Sequence, residues 1–412
     1  MEVVTIGLDI SKHVFHVHAV DTQGQVISRQ RLRRGEIVSF FSSLSPCLVG
    51  IEACATAHYR ARAIQRFGHN VRLIPPAYVK PYVRRGAKND AADAAAICEA
   101  VSRPNMRFVP IKSVENQGFL MLHRARRLLV RQRTMTACAI RTHFAEFGII
   151  VGQGRQRVDS LVDLLDDEEL ALPATAGMAL DVLVNQLKEL DRQVDAIERE
   201  LAQIQRVNPM AKLLPSIPGV GPITATALAA TVPDPTMFRS GREFAAWLGL
   251  TPKQNSTGGK DRLGRITKQG DSYLRHLLVI GARNVVRYPK ARSRVGGGWI
   301  EALLERRRPM VVAIAVANKL ARIIWANLRR LEERIRSSAS VRAPRRTNPA
   351  GHRFCGISSI AVSRACSWLF PMRAEVLSKA LRIICRRPAI NAAWCIFIAM
   401  SSATCRRPGS AR

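Results

Sequence analysis

Acidic residues are scarce in this chain: 31 Asp and Glu stand against 64 Lys and Arg, a formal net charge of +33 over 412 residues. An imbalance of that size is out of place in an enzyme of small-molecule metabolism. It makes a polyanion, DNA or RNA, the expected partner. Paired cysteines are lacking as well. The nine cysteines, an odd number, are scattered with no CxxC among them, which argues against a zinc site or a disulfide framework and for a reducing compartment. No apolar run is both long and free of charge; AAWCIFIAM (392–400) comes closest and is too short for a bilayer. The opening MEVVTIGLDIS puts Glu2 and Asp9 where a secretory signal is basic and then apolar. Neither secretion nor membrane insertion is expected.

What is present divides into segments of different texture, and the length suits two or three domains. VVTIGLDI (3–10), HVFHVHAV (13–20), QVISRQRL (25–32), LVGIEA (48–53) and NVRLIPP (70–76) read as strands. The helix TAHYRARAIQRFG intervenes, and AADAAAICEAV (91–101) follows as another. Strands followed by alternating helix and strand predict an α/β domain with a mixed sheet over residues 1–110. Residues 111–175 are a basic helical linker, with Arg124, Arg126, Arg127, Arg131, Arg133 and Arg141 on one long helix. Over 176–208, Leu183, Leu187, Leu190, Val194, Ile197, Leu201 and Ile204 recur at alternating spacings of four and three. That is a coiled-coil seam and a candidate oligomerisation surface, although one amphipathic helix packed on its own domain gives the same pattern. Residues 209–335 read as an all-helical domain around a basic loop, and 336–412 as a basic tail with no coherent pattern. In its last 76 residues (337–412) that tail has Glu375 as its one acid.

Four carboxylates draw attention. Asp9 falls near the end of the first strand and Glu52 at the end of the fourth. Adjacent placement of those strands would bring both to one sheet edge. In KNDAADA, Asp90 and Asp93 lie three apart at a helix start and so share a face. Like charges that close are costly unless a cation neutralises them. An all-oxygen set suits Mg²⁺ or Mn²⁺, and such metals assist phosphodiester cleavage. The plainer reading is that Asp90 caps its helix and Asp9 ends a strand. The second feature is the stretch LTPKQNSTGGKDRLGRITKQG (250–270), in which Ser256 and Thr257 precede Gly258 and Gly259 among Lys253, Lys260, Arg262, Arg265 and Lys268. By residue type it is a surface loop, a phosphate cradle or the seat of a nucleophile. Two nearby features add phosphate contacts. PGVGP (218–222) reads as a helix-hairpin-helix turn, with Gly219 and Gly221 offering backbone N–H groups to phosphate. Arg275 flanks the loop, together with Tyr273 and His276.

GLDISK with Asp9, GIEAC with Glu52 and KNDAADA with Asp90 and Asp93 resemble the DEDD motif of the IS110-family transposases, in particular the IS1111 group. SIPGVGPITATAL, AAWLGLTPKQNSTGGKDRLGRITKQGDSYLRHLLV and VANKLARIIWANL resemble the family's C-terminal domain in the same order, so the likeness runs over roughly residues 1–330. The resemblance implies a RuvC-like, RNase H-fold N-terminal domain. It also implies a DNA recombinase that excises and inserts a mobile element, using the carboxylates with Mg²⁺ or Mn²⁺ and a C-terminal serine that links covalently to DNA. By that likeness Ser256 is the nucleophile, with Thr257 the alternative. It further implies a structured noncoding guide RNA, a homodimer or homotetramer with active sites shared between subunits, and a cytoplasmic, nucleoid-associated setting in a prokaryote.

Rival readings fit less of the chain. A Holliday junction resolvase uses only the N-terminal domain, and a non-catalytic nucleic-acid-binding protein leaves the carboxylates idle. Sugar kinases and Hsp70-like ATPases also open on GLDIS, but their second glycine-rich phosphate strand pair is missing.

Overall fold

The computed structural model describes residues 2–83, 89–154, 156–165 and 172–341; the tail beyond 341 lies outside the described residues. The five apolar, β-branched runs form strands where the pattern places them: β1 (Thr5–Ile10), β2 (Val14–Val20), β3 (Val26–Arg33), β4 (Leu48–Glu52) and β5 (Asn70–Ile74). Their order in the sheet is β3-β2-β1-β4-β5. β2 is antiparallel to both β1 and β3, whereas β1, β4 and β5 run parallel. This mixed sheet is consistent with an RNase H-like core. Helices α1 (Ile37–Ser42) and α2 (Ala57–Gln65) and the short turn α3 (Pro76–Val79) connect the strands, and α4 (Asp90–Val101) follows.

Two glycines decide how closely α4 approaches the sheet. A Cβ on Gly7 would come within 2.1 Å of the Ala94 carbonyl oxygen, and one on Gly50 within 2.8 Å of the Val101 Cβ. The glycines of GLDIS and GIEA therefore leave room for α4 to lie directly on β1 and β4.

The long basic helix is α5 (Val114–Glu146), capped by Ser113, whose Oγ accepts from the Asn116 N–H at 3.0 Å. After α6 (Gln156–Leu165), the heptad-patterned stretch forms α7 (Ala174–Val207). Arg126 Nε donates to Glu198 at 2.8 Å, and Arg133 pairs with Asp191 at 3.2 Å. Seven residues up one helix match seven down the other, so α5 and α7 are antiparallel. Ala137, Ile140 and Phe144 of α5 form one cluster with Leu180, Val184 and Leu187 of α7. Leu187, Leu190, Val194 and Leu201 are buried within the single chain, and Leu183, Ile197 and Ile204 partly so. Of the two readings that the 4-3 spacing leaves open, the packing within one chain is the helix laid on its own domain: the spacing requires a partner surface but does not say whose, and α5 supplies one. Leu187→Ala is accordingly expected to cost about 2–5 kcal/mol of folding stability. Urea denaturation at several protein concentrations checks this; a loss confined to low concentration would mean an intersubunit contact instead.

The C-terminal part contains α8 (Pro209–Leu213), α9 (Pro222–Thr231), α10 (Gly241–Trp247), β6 (Pro252–Gln254), β7 (Leu263–Ile266), α11 (Ser272–Arg287), α12 (Pro289–Leu304) and α13 (Pro309–Val341). It is mostly rather than wholly helical, because the basic loop is an antiparallel hairpin of β6 and β7. Helices α1 and α12 were not anticipated. By length and composition α13 is apolar enough over Pro309–Ser337 to cross a membrane, although Lys319 and Arg322 interrupt the run. Its Val312, Val316, Leu320, Ile324 and Leu328 are 0–1 % exposed in the C-terminal core, so the apolar composition serves a core helix.

His123 on α5 ties the long helices to this core. It is 1 % exposed, with Nδ1 3.1 Å from the Tyr273 hydroxyl of α11 and Nε2 3.1 Å from Thr226 Oγ1 of α9. Burial, with Arg126 nearby, lowers its pKa from 6.5 to about 4. The imidazole is thus neutral when folded, and protonation favours the unfolded chain. Its contribution is present in full above pH 6.5 and is lost as pH falls toward 4. His123→Gln should flatten the decline of Tm over that window, on the order of 3 kcal/mol for the full shift. An unchanged pH profile would count against it.

Candidate active site

β1 and β4 are parallel neighbours paired through Leu8 and Ile51, so the next residues on each, Asp9 and Glu52, come side by side at one sheet edge. The same close-packed α4 begins at Asp90, above that edge. Its N-cap is Asn89, whose Oδ1 accepts from the Ala92 N–H at 2.7 Å. Asp90 is therefore not spent on capping, contrary to the plainer reading. Burial raises the Asp9 pKa from 3.8 to about 6, reinforced by the negative charges of Asp90, Asp93 and Glu52. Glu52 is raised by burial and then by Asp93. The four carboxylates thus share one electrostatic neighbourhood.

Among the described residues no group of three or more His, Cys, Asp or Glu side chains is gathered tightly enough to enclose a metal ion. The convergence is one of charge and not yet of ligand contact. The donor set nevertheless fits a hard divalent cation: it is all oxygen, and its mutual repulsion is what such an ion relieves.

His16 is a site residue that the sequence reading missed. It sits opposite Asp9 in the β1–β2 register, and its Nε2 lies 3.7 Å from Asp90 Oδ2. The signal was available in the alternation of HVFHVHAV, which puts His16 and His18 on one face, but only strand pairing says what they face. A cleft of about 850 Å³ runs from His16 past Arg29 and Arg31 along α4. It supplies cations next to the carboxylates.

The other candidate group lies on the β6–β7 hairpin. Thr257 and Lys260 exchange backbone hydrogen bonds of 3.3 and 3.0 Å across Gly258 and Gly259, whose φ values are +54° and +73°. Two successive left-handed residues make the tight turn that suits a two-residue hairpin loop. Glycine at both positions therefore serves the turn itself. Ser256 is exposed beside it, and its Oγ donates to Asp261 Oδ1 at 3.1 Å and accepts from the Arg262 N–H at 3.2 Å. Asp261, also missed in the sequence, gives the serine hydroxyl a carboxylate partner.

Lys253, Lys260, Arg262, Arg265 and Lys268 are all exposed on or beside the hairpin. Arg275 is placed differently: its Nη1 donates to the carbonyl oxygens of Leu248 and Gln269 at 2.9 and 2.7 Å, bracing the hairpin base. At the expected helix-hairpin-helix turn, Gly219 has φ +83° and a Cβ there would reach within 2.7 Å of the Gly281 carbonyl oxygen. Gly219 thus serves a turn packed on α11, whereas Gly221, at the N-cap of α9, faces open space.

Residues 211–295 match the family model described as "Transposase IS116/IS110/IS902 family", and residues 6–149 match the DEDD_Tnp_IS110 model, described as "Transposase". A Pseudomonas aeruginosa protein named "Probable family 20 transposase" is 47 % identical over 332 residues, covering 80 % of this chain and 98 % of the relative. The Yersinia enterocolitica transposase for insertion sequence element IS1328 is 40 % identical over 323 residues, 78 % of this chain and 96 % of its own length. The Coxiella burnetii transposase for insertion sequence element IS1111A is 38 % identical over 332 residues, 80 % of this chain and 91 % of its own length. Matched by two family models and by bacterial relatives over nearly their whole length, the chain belongs to the IS110/IS1111 family of transposases, enzymes that cut and join DNA.

Proposed function

We propose that this transposase excises and inserts its element through a serine–DNA intermediate. In that reaction Ser256 acts as nucleophile and the Asp9, Glu52, Asp90 and Asp93 set holds Mg²⁺ or Mn²⁺. The observation that carries the reading is the Ser256–Asp261 hydrogen bond on an exposed basic hairpin, in a chain that also crowds four carboxylates at one sheet edge. A serine hydroxyl is a weak nucleophile until its proton has an acceptor. Asp261 takes that proton as Ser256 Oγ bonds to phosphorus. The bond from phosphorus to the departing sugar oxygen breaks, and that oxygen takes a proton from solvent to leave as a hydroxyl, while Asp261 returns its proton to solvent. Rejoining reverses the step with a different strand end. A divalent metal, if held by these carboxylates, would supply charge stabilisation to the reaction. Lys253, Lys260, Arg262 and Arg265 hold the strand by its phosphates, and Gly221 adds a backbone contact. Thr257, whose backbone closes the hairpin, is the alternative nucleophile.

The proposal extends to two partners. A structured guide RNA as one partner rests on the family likeness, and the charge of +33 suits a polyanion of either kind. Assembly as a homodimer or homotetramer, with the hairpin of one subunit meeting the carboxylates of another, is the second. The deciding assay incubates purified protein with element-end DNA, Mg²⁺ and candidate RNA, then looks on denaturing gels for protein covalently attached to DNA. No adduct under any RNA condition would overturn the serine mechanism.

A further inference from the structure

Beside the base of the serine hairpin lies a groove of about 1040 Å³ between β6–β7, α12 and the start of α13. Its size is just above the range of pockets that hold small organic ligands, about 300–1,000 Å³. The floor is apolar, formed by Ile266, Val311 and Ile314, and Val311 is 54 % exposed. Trp299 forms one wall and is 42 % exposed. It is presented by a kink in α12 at Gly296, where φ is +124°. The Lys319 ammonium lies 4.6 Å from the Trp299 ring centroid. Arg265, Lys268 and Arg322 complete the lining, and among the described residues no carboxylate lines it. A large exposed aromatic on an apolar floor, rimmed by four cations, is unusual on a surface open to water.

We propose that this groove takes an unpaired nucleotide of the DNA strand flanking the phosphate attacked by Ser256. The base stacks on Trp299 and the adjoining phosphates lie on Arg265, Lys268 and Arg322. Charge complementarity selects a polyanion, and stacking on an exposed aromatic selects an unstacked base over duplex. Continuity with the hairpin selects the DNA strand being cut: Pro252, Gly264, Arg265 and Ile266 belong to both hairpin and groove. Asn318 Nδ2 donates to the Leu250 carbonyl oxygen at 3.3 Å, anchoring the hairpin base to α13. Groove and nucleophile are thus held on one support. A nucleotide seated there would fix the position of its neighbouring phosphate relative to Ser256. The identity of that phosphate rests on the serine reading above; the groove's affinity for single-stranded DNA does not.

The test uses the full-length protein and a fluorescein-labelled oligothymidylate, with an abasic strand of equal length and an oligouridylate as comparison probes. Trp299→Ala is expected to weaken oligothymidylate binding roughly tenfold or more, to leave abasic-strand binding unchanged and to affect oligouridylate less. Trp299→Phe should retain most of the affinity, which excludes misfolding as the cause. Val311→Glu, at an exposed position, should reproduce the loss by placing an acid on the floor. Irradiation with 5-iodouracil-substituted oligodeoxynucleotide should cross-link to the peptide carrying Trp299. Equal loss on the abasic strand, or loss confined to oligouridylate, overturns the proposal; the second outcome would make the groove an RNA site. Ser256→Ala protein should bind oligothymidylate normally. If that variant still forms DNA adducts while Trp299→Ala loses strand binding, the serine reading fails and the groove stands.

Discussion

Ser256→Ala is expected to bind DNA and RNA as wild type does, yet to form no covalent complex and complete no recombination. The drop should be roughly 10⁴-fold or more, the scale seen when a nucleophile is removed from a cooperating set. The substitution deletes one exposed oxygen that donates to Asp261 and accepts from the Arg262 N–H. Nothing in the buried core depends on it, so a folding defect is not expected. Asp261→Asn should lower the rate while sparing binding, because the amide holds the hydroxyl but takes up no proton. Adducts that survive Ser256→Ala and vanish in Thr257→Ala would move the nucleophile by one residue. The shared-site arrangement has its own readout. Mixing Ser256→Ala protein with Asp9→Asn protein should restore partial cleavage, since each supplies the half the other lacks. If each variant is dead alone and the mixture stays dead, a site built within one subunit is preferred.

Asp9→Asn should abolish strand cleavage, by at least about a hundredfold, and leave binding to element-end DNA largely intact. The basic surface that holds phosphate is untouched, while the central member of the carboxylate group loses its charge. Burial and the charges of Asp90, Asp93 and Glu52 act against ionised Asp9 in the metal-free protein. The same substitution should therefore raise the Tm of metal-free protein at neutral pH. Conversely, Mg²⁺ should stabilise wild type and do so much less for Asp9→Asn, because a cation relieves repulsion that the variant no longer has. Normal cleavage by Asp9→Asn in Mg²⁺ would overturn the metal assignment. A lower Tm for the metal-free variant would overturn the electrostatic account.

Much of this was legible in the residues alone, and the division has physical causes. Strands β1 to β5 could be read because each is a short apolar, β-branched run whose side chains must be buried whatever they pack against. The carboxylates could be read for a related reason: Asp9 and Glu52 close such runs, where an acid is costly unless used. Their meeting needed strand order. Only the parallel pairing of β1 with β4, and the descent of α4 onto Gly7 and Gly50, turned four separate acids into one charged group. The period of Leu183 to Ile204 states that a helix face is buried. That face is covered by α5 of the same chain, a contact between segments some 60 residues apart that periodicity does not encode. The hairpin looks like a loop in the sequence because its strands are short and exposed on nearly every residue, so no apolar alternation marks them. Asp261 and His16 escaped for the same kind of reason: one reaches Ser256 only across the turn at Gly258-Gly259, and the other reaches Asp90 only across a strand pair. The sequence by itself determined which residues must be buried and which chemical groups are on hand. The tertiary structure alone decided which of them meet, because side-chain chemistry is local and the contacts that make a site are not.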